Sequence, residues 1–417
     1  MARGRHDGPA AAPREARLND TTPAAAAADP WGTPSTAPAV HQLPLRFVGS
    51  GSEYFRIWIV NLLLTLVTLG LYYPFAKVRR LRYFHGATEV GGAPLSFHAD
   101  PWKMFRGYVL VALMLAAYTG AGQFSATAGA IAFLIVAALW PALWHSSMRF
   151  RLANTGWRGL RFRYTGTRGG AYAVMAVPLG VAMLFVLGAL LTQPEAPPVP
   201  PSGEEVPPSA SELYAAVAPG VVMLALLPLF FWLLKRLQHS NYALGPERTG
   251  FTARVGSFYG LAFTAGFVGI VAMFGIGILA AIVVSALRSL GIGGIAWLSV
   301  VAMVLGYLVV FSLVGGYWTA RMQNLTWGHT ASARLRFKSS LPAHALARLW
   351  FKNLLLVLLT LGLYFPFAQV ATARLRLEAM TVVSDVDPDE FAASAAQADE
   401  AAAGDAAGDL LGFDIGL

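Results

Sequence analysis

The chain has 417 residues, 56% of them hydrophobic and 13% charged, with a net charge of +9 and no cysteine. Soluble domains carry about 25% charged residues; here the charges also avoid long blocks of sequence, which places the chain among membrane proteins. The absence of thiols excludes disulfides and Cys-based zinc or iron–sulfur sites. In a membrane chain the excess of Lys and Arg reads as a topology signal, and no nucleic acid is expected as a partner.

Residues 1–42 are rich in Ala, Pro, Arg and Asp without apolar periodicity and are predicted to form a disordered arm. Leu45-Arg46-Phe47 and a Gly/Ser turn at 49–52 lead into an apolar segment at 57–76, followed by Lys77, Arg79, Arg80 and Arg82. Thr88, a Gly91-Gly92 turn and Leu95-Ser96-Phe97 come next, and Asp100-Pro101 has the form of a helix start. Apolar segments at 108–121 and 130–144 precede Arg149, Arg151, Thr155 and Leu160-Arg161-Phe162. Segments at 171–191 and 213–234 flank a Pro-rich acidic linker, and those at 258–286 and 295–318 precede Arg321, Thr326 and Leu335-Arg336-Phe337. After a last apolar segment at 349–368, residues 379–417 are Ala-rich and acidic without a single Lys or Arg, and are predicted to be a disordered tail. The membrane domain is thus expected over 43–378.

Each apolar segment has about the 20 residues needed to cross the hydrocarbon. Loops 77–107, 145–170 and 319–352 hold six Lys or Arg each and loop 235–257 four, whereas the alternate loops hold almost none. The basic loops are therefore assigned to the cytoplasm, and 192–212, with its four Glu, to the opposite side. Within the basic loops a fainter pattern recurs: an Arg, then Asn or Thr, then a turn, then an aromatic residue. Its two-residue alternation suggests a short strand or hairpin leading into each helix.

Two stretches frame the chain. Residues 56–78 and 348–370 align at an offset of 292 without a gap, with 16 of 23 positions identical. The shared motif comprises Trp58, Thr68, Gly70, Tyr72 and Pro74 in one copy and Trp350, Thr360, Gly362, Tyr364 and Pro366 in the other. Each copy is simplest as one kinked crossing; the alternative is a re-entrant hairpin turning at the Gly and Pro, which would keep both basic flanks on one side. The fold class expected is all-α: a helical membrane bundle of six clear spans plus these two end segments, eight helices if both cross. The copies should pack together or be related by a two-fold pseudosymmetry. Asn61 and Asn353, polar positions inside apolar runs, are candidates for a polar lining or a helix–helix contact. Trp58, Trp350, Tyr72 and Tyr364 read as interfacial anchors, and Lys77, Arg79, Arg80, Arg82, Arg149 and Arg321 as candidate contacts for anionic lipid headgroups.

With Phe47 and Arg82-Tyr83-Phe84 beside it, the run from Trp58 through Thr68-Leu69-Gly70-Leu71-Tyr72-Tyr73-Pro74-Phe75-Ala76-Lys77 resembles the YjgN family of bacterial inner-membrane proteins. The resemblance covers residues 43–380 and implies a multi-span inner-membrane protein carrying a domain of unknown function. It supplies no reaction, substrate or catalytic residue. The second copy departs from the first at Gln369, Ala371 and Thr372, where the first has Lys77, Arg79 and Arg80.

No catalytic residue, cofactor or metal site is expected. No charged side chain lies in the core of an interior span, where proton-coupled carriers keep one. His85, His98, His145, His239 and His329 lack ligand spacing, and Gly275-x-Gly277-x-x-Ala280 has no preceding strand to make it a dinucleotide site. The expected function is non-catalytic passage of a small solute or lipid. The alternatives are a membrane-organising scaffold acting through its basic face and, third, a membrane-embedded enzyme. The bilayer and its anionic headgroups are the expected partners; protein partners are not legible.

Overall fold

A computed structural model describes residues 40–191, 210–290 and 295–397. The alternation around Leu45-Arg46-Phe47 extends through strand β1 (His41–Phe47), where Leu43, Leu45 and Phe47 are buried while Gln42, Pro44 and Arg46 are exposed. A two-residue period of this kind marks a strand with one face on a core. From β1 the chain goes out through α1 (Gly51–Val67), back through α2 (Tyr73–Gly86) and into β2 (Thr88–Val90), which pairs antiparallel with β1, Phe47 opposite Thr88.

That strand–helix–helix–strand unit occurs five times. The second comprises β3 (Ala93–Phe97), α3 (Pro101–Phe124), α4 (Ala126–Ala153) and β4 (Thr155–Trp157); the third, β5 (Leu160–Tyr164), α5 (Arg168–Leu191), α6 (Ala210–His239) and β6 (Tyr242–Leu244). The fourth opens with β7 (Glu247–Arg248) and β8 (Gly250–Phe251), then α7 (Val255–Ser289), α8 (Ile295–Gly328) and β9 (Thr330–Ala331). The fifth is β10 (Leu335–Ser339), α9 (Ala343–Leu359), α10 (Phe365–Glu378) and β11 (Met380–Ser384).

The strands form one antiparallel sheet of 11, in the order β7-β6-β5-β4-β3-β2-β1-β11-β10-β9-β8. Its edge strands β7 and β8 are separated in the chain by Thr249 alone, so the sheet curls into a nearly closed barrel. Pairing of β1 with β11, His41 opposite Ser384, joins the first unit to the last. All helical hairpins leave from one end of this barrel and all strand-to-strand turns lie at the other. Two of those turns, Gly91-Gly92 and Arg158-Gly159, have positive φ at both central residues, as two-residue hairpins require.

The barrel corrects the all-α expectation. The strand signals were present, but as local decoration; each pairing within a unit spans a whole helical hairpin, which no local pattern encodes. The acidic tail is also shorter than expected: 380–384 is β11, and residues 388–397 form a further helix, with Asp387 Oδ1 accepting from the Asp389 N–H at 2.9 Å as its cap. Residues 1–39, 192–209 and 398–417 lie outside the described residues, so the N-terminal arm, most of the acidic linker and the end of the tail are not placed.

The two end segments are hairpins, not single crossings and not two of eight spanning helices. α1 ends in a Schellman arrangement: the Leu69 N–H donates to Leu66 O at 3.1 Å and the Gly70 N–H to Thr65 O at 2.7 Å, with φ of +49° at Leu69 and +92° at Gly70. Thr68 Oγ1 donates to Leu64 O and accepts from the Tyr72 N–H at 3.0 Å, and Pro74 opens α2 from a position that needs no N–H. The second copy repeats this turn, with Gly362 N–H to Val357 O at 2.7 Å and φ of +50° and +93°. The 17 residues of α1 rise about 26 Å, short of a full crossing. Pairing of β1 with β2, and of β10 with β11, brings both ends of each hairpin back to the same sheet. α1 packs against α10, with Phe55 and Phe367 ring centroids 5.7 Å apart, because the two units are neighbours in a ring of five.

Five helices, α3, α4, α6, α7 and α8, are long and apolar enough to cross a membrane, and α5 lies along α6. At most 6% of each apolar window is buried. Few of their residues are fully buried inside the protein, as in helices solvated by lipid tails, and the barrel ties the hairpins into one ring.

Candidate functional site

The helix-to-strand joints explain the recurring Asn/Thr. Thr88, Thr155 and Thr330 each donate from Oγ1 to the carbonyl four residues earlier, and Asn241 does so from Nδ2. The last turns of α2, α4, α6 and α8 are thereby closed just as the chain enters the barrel. In the fourth unit the joint residue is Thr330 rather than Thr326, which lies one turn earlier and is buried.

Because all five return helices end at the same rim, their last turns converge on the barrel axis. They form the floor of a chamber of about 760 Å³, within the roughly 300–1,000 Å³ of small-molecule sites. Each supplies one polar side chain: His85 from α2, Arg151 from α4, Gln238 from α6, Gln323 from α8 and Arg376 from α10. The wall above is largely apolar and comes from inward strand residues such as Leu45, Trp157, Phe162, Phe337 and Val382.

At the far rim the 388–397 helix lies across the opening. It is held by the chain from β11, by an Arg158–Asp389 ion pair at the β4–β5 turn, and by Ala395 packed on Gly245 beyond β6. Phe391, only 1% exposed, joins the apolar cluster of Leu43, Leu45, Trp157, Leu244 and Val382 and caps the wall.

The floor is held by specific bonds. Arg376 Nε donates to Gln323 Oε1 at 2.9 Å, and Gln323 Nε2 donates to Arg376 O at 2.8 Å. Arg151 donates to Ser147 O at 3.4 Å and Met148 Sδ at 3.0 Å. Partial desolvation lowers the Arg376 pKa, but the side chain is exposed and a guanidinium stays charged. His85 is likewise shifted down by burial, opposed by its bond to Leu81 O, and is neutral at pH 7. Burial pushes the Tyr242 phenol well up. The lining includes one carboxylate, Glu247, which is engaged by Arg334: its Oε2 accepts from the backbone N–H at 3.3 Å and its Oε1 lies 3.7 Å from Nε.

Of the residues singled out from sequence, neither Asn61 nor Asn353 lines the chamber. Each sits between the two helices of its own end hairpin. Asn61 Oδ1 accepts from Arg79 at 3.4 Å, while Asn353 donates to Ala368 O at 3.4 Å and its Oδ1 has no partner. Arg79 is thus spent inside the hairpin, also reaching the Tyr72 hydroxyl, and Arg82 donates to Ala99 O at 3.0 Å. Arg321 lies over the Tyr317 ring. Lys77, Arg80 and Arg149 are exposed. Trp58 lies tilted against Phe365, and Trp350 stacks toward Phe311. The floor residues were missed, although four of them lie three or four positions before a joint residue or the strand that follows: His85 before Thr88, Arg151 before Thr155, Gln238 before Asn241 and Arg376 before Met380; Gln323 lies seven before Thr330. Among the described residues no three His, Asp or Glu gather as a metal ion would need.

Spanning hairpins tied by a β-barrel around a chamber define a polytopic membrane protein. The chain belongs to the family described as "Bacterial protein of unknown function (DUF898)", whose model matches residues 42–410. It is 38% identical over 71 residues to the inner membrane protein YjgN of Salmonella typhimurium, covering 17% of this chain and 18% of that protein. It is 26% identical over 147 residues to YjgN of Escherichia coli O157:H7, covering 34% and 37%, and 41% identical over 59 residues to YjgN of E. coli K12, covering 14% and 15%. The alignments thus span little more than a third of these relatives at most. The resemblance read from the Trp58–Lys77 motif is borne out at the level of the family. No solved structure matches the chain.

Proposed function

We propose that this chain is a non-catalytic protein of the bacterial inner membrane that binds a small solute or lipid in its central chamber on the way into or across the bilayer. The observation that carries the reading is the chamber itself: the five return helices end at its floor, and strands of all five units wall it. A site at the meeting point of repeated helical hairpins is where transport folds place their ligands. The inner-membrane location rests on the names of the relatives and on the apolar helices. In this reading α3 to α8 make six crossings, the barrel faces the cytoplasm with the basic joints, the duplicated end hairpins dip in from that side, and the exposed Lys77, Arg80 and Arg149 rest on anionic headgroups.

Purified protein in sealed vesicles tests it. The expected result is accelerated entry of a solute, or movement of a labelled lipid between leaflets, that is reduced by filling the chamber with Leu45→Trp. Flux no faster than in protein-free vesicles for both solutes and lipids would sink the reading and favour a membrane-organising scaffold.

A further inference from the structure

The chamber has two unlike halves, and its floor carries an unbalanced charge. Arg151 and Arg376 line it directly. Among the described residues no carboxylate answers them, because Glu247 is held by Arg334. The Arg376 terminal nitrogens have no hydrogen-bond partner among the described residues; only its Nε is used, on Gln323.

A bland account exists. Cations in a last helical turn complement the helix dipole, an effect of about 0.3–1 kcal/mol. It accounts for one cation at one helix end. It does not account for two guanidinium groups facing one largely apolar cavity, where like charges raise each other's cost. An anion at the centre would relieve that repulsion and take up the free guanidinium donors. The wall above is mostly apolar, with the Thr249 hydroxyl spent on His239 O and the Thr155 hydroxyl on Arg151 O, and suits a hydrocarbon chain.

We infer that the chamber binds an anionic amphiphile, its phosphate or carboxylate head on Arg151 and Arg376 and its single apolar chain against the strand wall beneath Phe391. This rests on the chamber being a ligand site, as the proposed function has it, but requires no passage across the membrane.

The test is equilibrium binding of radiolabelled dodecyl phosphate, laurate and dodecanol, all with the same chain, and of inorganic phosphate, to the full-length protein in neutral detergent. The two anionic amphiphiles should bind at least about tenfold more tightly than dodecanol, the factor expected for charge-assisted hydrogen bonds. The double variant Arg151→Gln/Arg376→Gln should lose that preference, while Arg151→Lys/Arg376→Lys should keep part of it. Should the Gln variant not fold, the ligand series on the wild type and the Lys variant decides. Equal affinity for dodecanol, or a folded Gln variant that keeps the anion preference, would overturn the inference. Inorganic phosphate binding as tightly as dodecyl phosphate would overturn the assignment of the apolar chain. Tight anion binding without flux in vesicles would leave this inference standing and remove the passage reading.

Discussion

The two end hairpins are nearly the same sequence folded the same way, yet they sit in different surroundings. Their turns match bond for bond: the Schellman hydrogen bonds, the Thr hydroxyl bridge and the positive φ at Leu and Gly recur at Leu69-Gly70 and Leu361-Gly362. Their neighbours do not match. α9 packs closely on α8, where Gly315 and Gly316 leave room for Trp350 and Ala347. α1 instead meets α10, with Trp58 set against Phe365. Inside the hairpins Asn61 bonds Arg79, but the second copy has Ala371 at that place, and Asn353 reaches Ala368 O and, at 3.5 Å, Thr372 instead. A turn is a local object and survives duplication; a buried polar contact depends on the facing helix and must be rebuilt when that helix changes.

The largest effect should come from the seam that only one copy has. A Cβ on Gly316 would meet the Ala347 backbone at 2.8 Å. Gly316→Leu should therefore destabilise the protein by about 2–3 kcal/mol, the upper part of the range for overpacking, as read by thermal unfolding in detergent. Gly266→Leu, where the site is open, should cost little. Equal effects at the two positions would mean that α8 and α9 are not packed as described.

Next come the turns, where the copies should agree. Gly70→Ala and Gly362→Ala each force a side chain to a φ near +92°, while the nearest atom to a new Cβ at Gly70 is at an ordinary 3.5 Å. Each should cost about 1–3 kcal/mol from backbone strain, and the two values should agree within about 0.5 kcal/mol, as independent sites allow. A large disparity between them would show that the turn is imposed by its surroundings.

The asparagines should split. Asn61→Leu strips Arg79 of a partner and should cost about 0.6–2 kcal/mol. Asn353→Leu also removes an amide oxygen that is buried without a partner, so its cost should be smaller, below about 0.6 kcal/mol. Denaturant unfolding of the two single variants measures the difference; a larger loss at Asn353 would reverse the comparison.

Much of this molecule could be read from local sequence. The apolar runs marked the spans, and the Leu-x-Phe triplets at 45–47, 95–97, 160–162 and 335–337 marked four of the strands. The framing motif held its own answer. Thr-Leu-Gly followed by Pro is a helix stop and a helix start four residues apart, and an apolar stretch long enough to span hid that signal. Asp387-Pro388 carried the same start signal as Asp100-Pro101, and the acidic, Ala-rich composition around it masked the helix at 388–397.

The sequence by itself determined what depends on neighbours within a few residues: the membrane class, the helices and their caps, the turns, and the strand triplets, because hydrogen bonds and hydrophobic periods of that range lie in one stretch of chain. The tertiary structure alone decided that the strands join into a barrel and that His85, Arg151, Gln238, Gln323 and Arg376 meet at one floor. Strand partners such as Phe47 and Thr88 are separated by a whole helical hairpin, and His41 and Ser384 by nearly the length of the membrane domain. Pairing over such distances is set by closure of the ring, and a two- or three-residue strand contains too little information to name its partner.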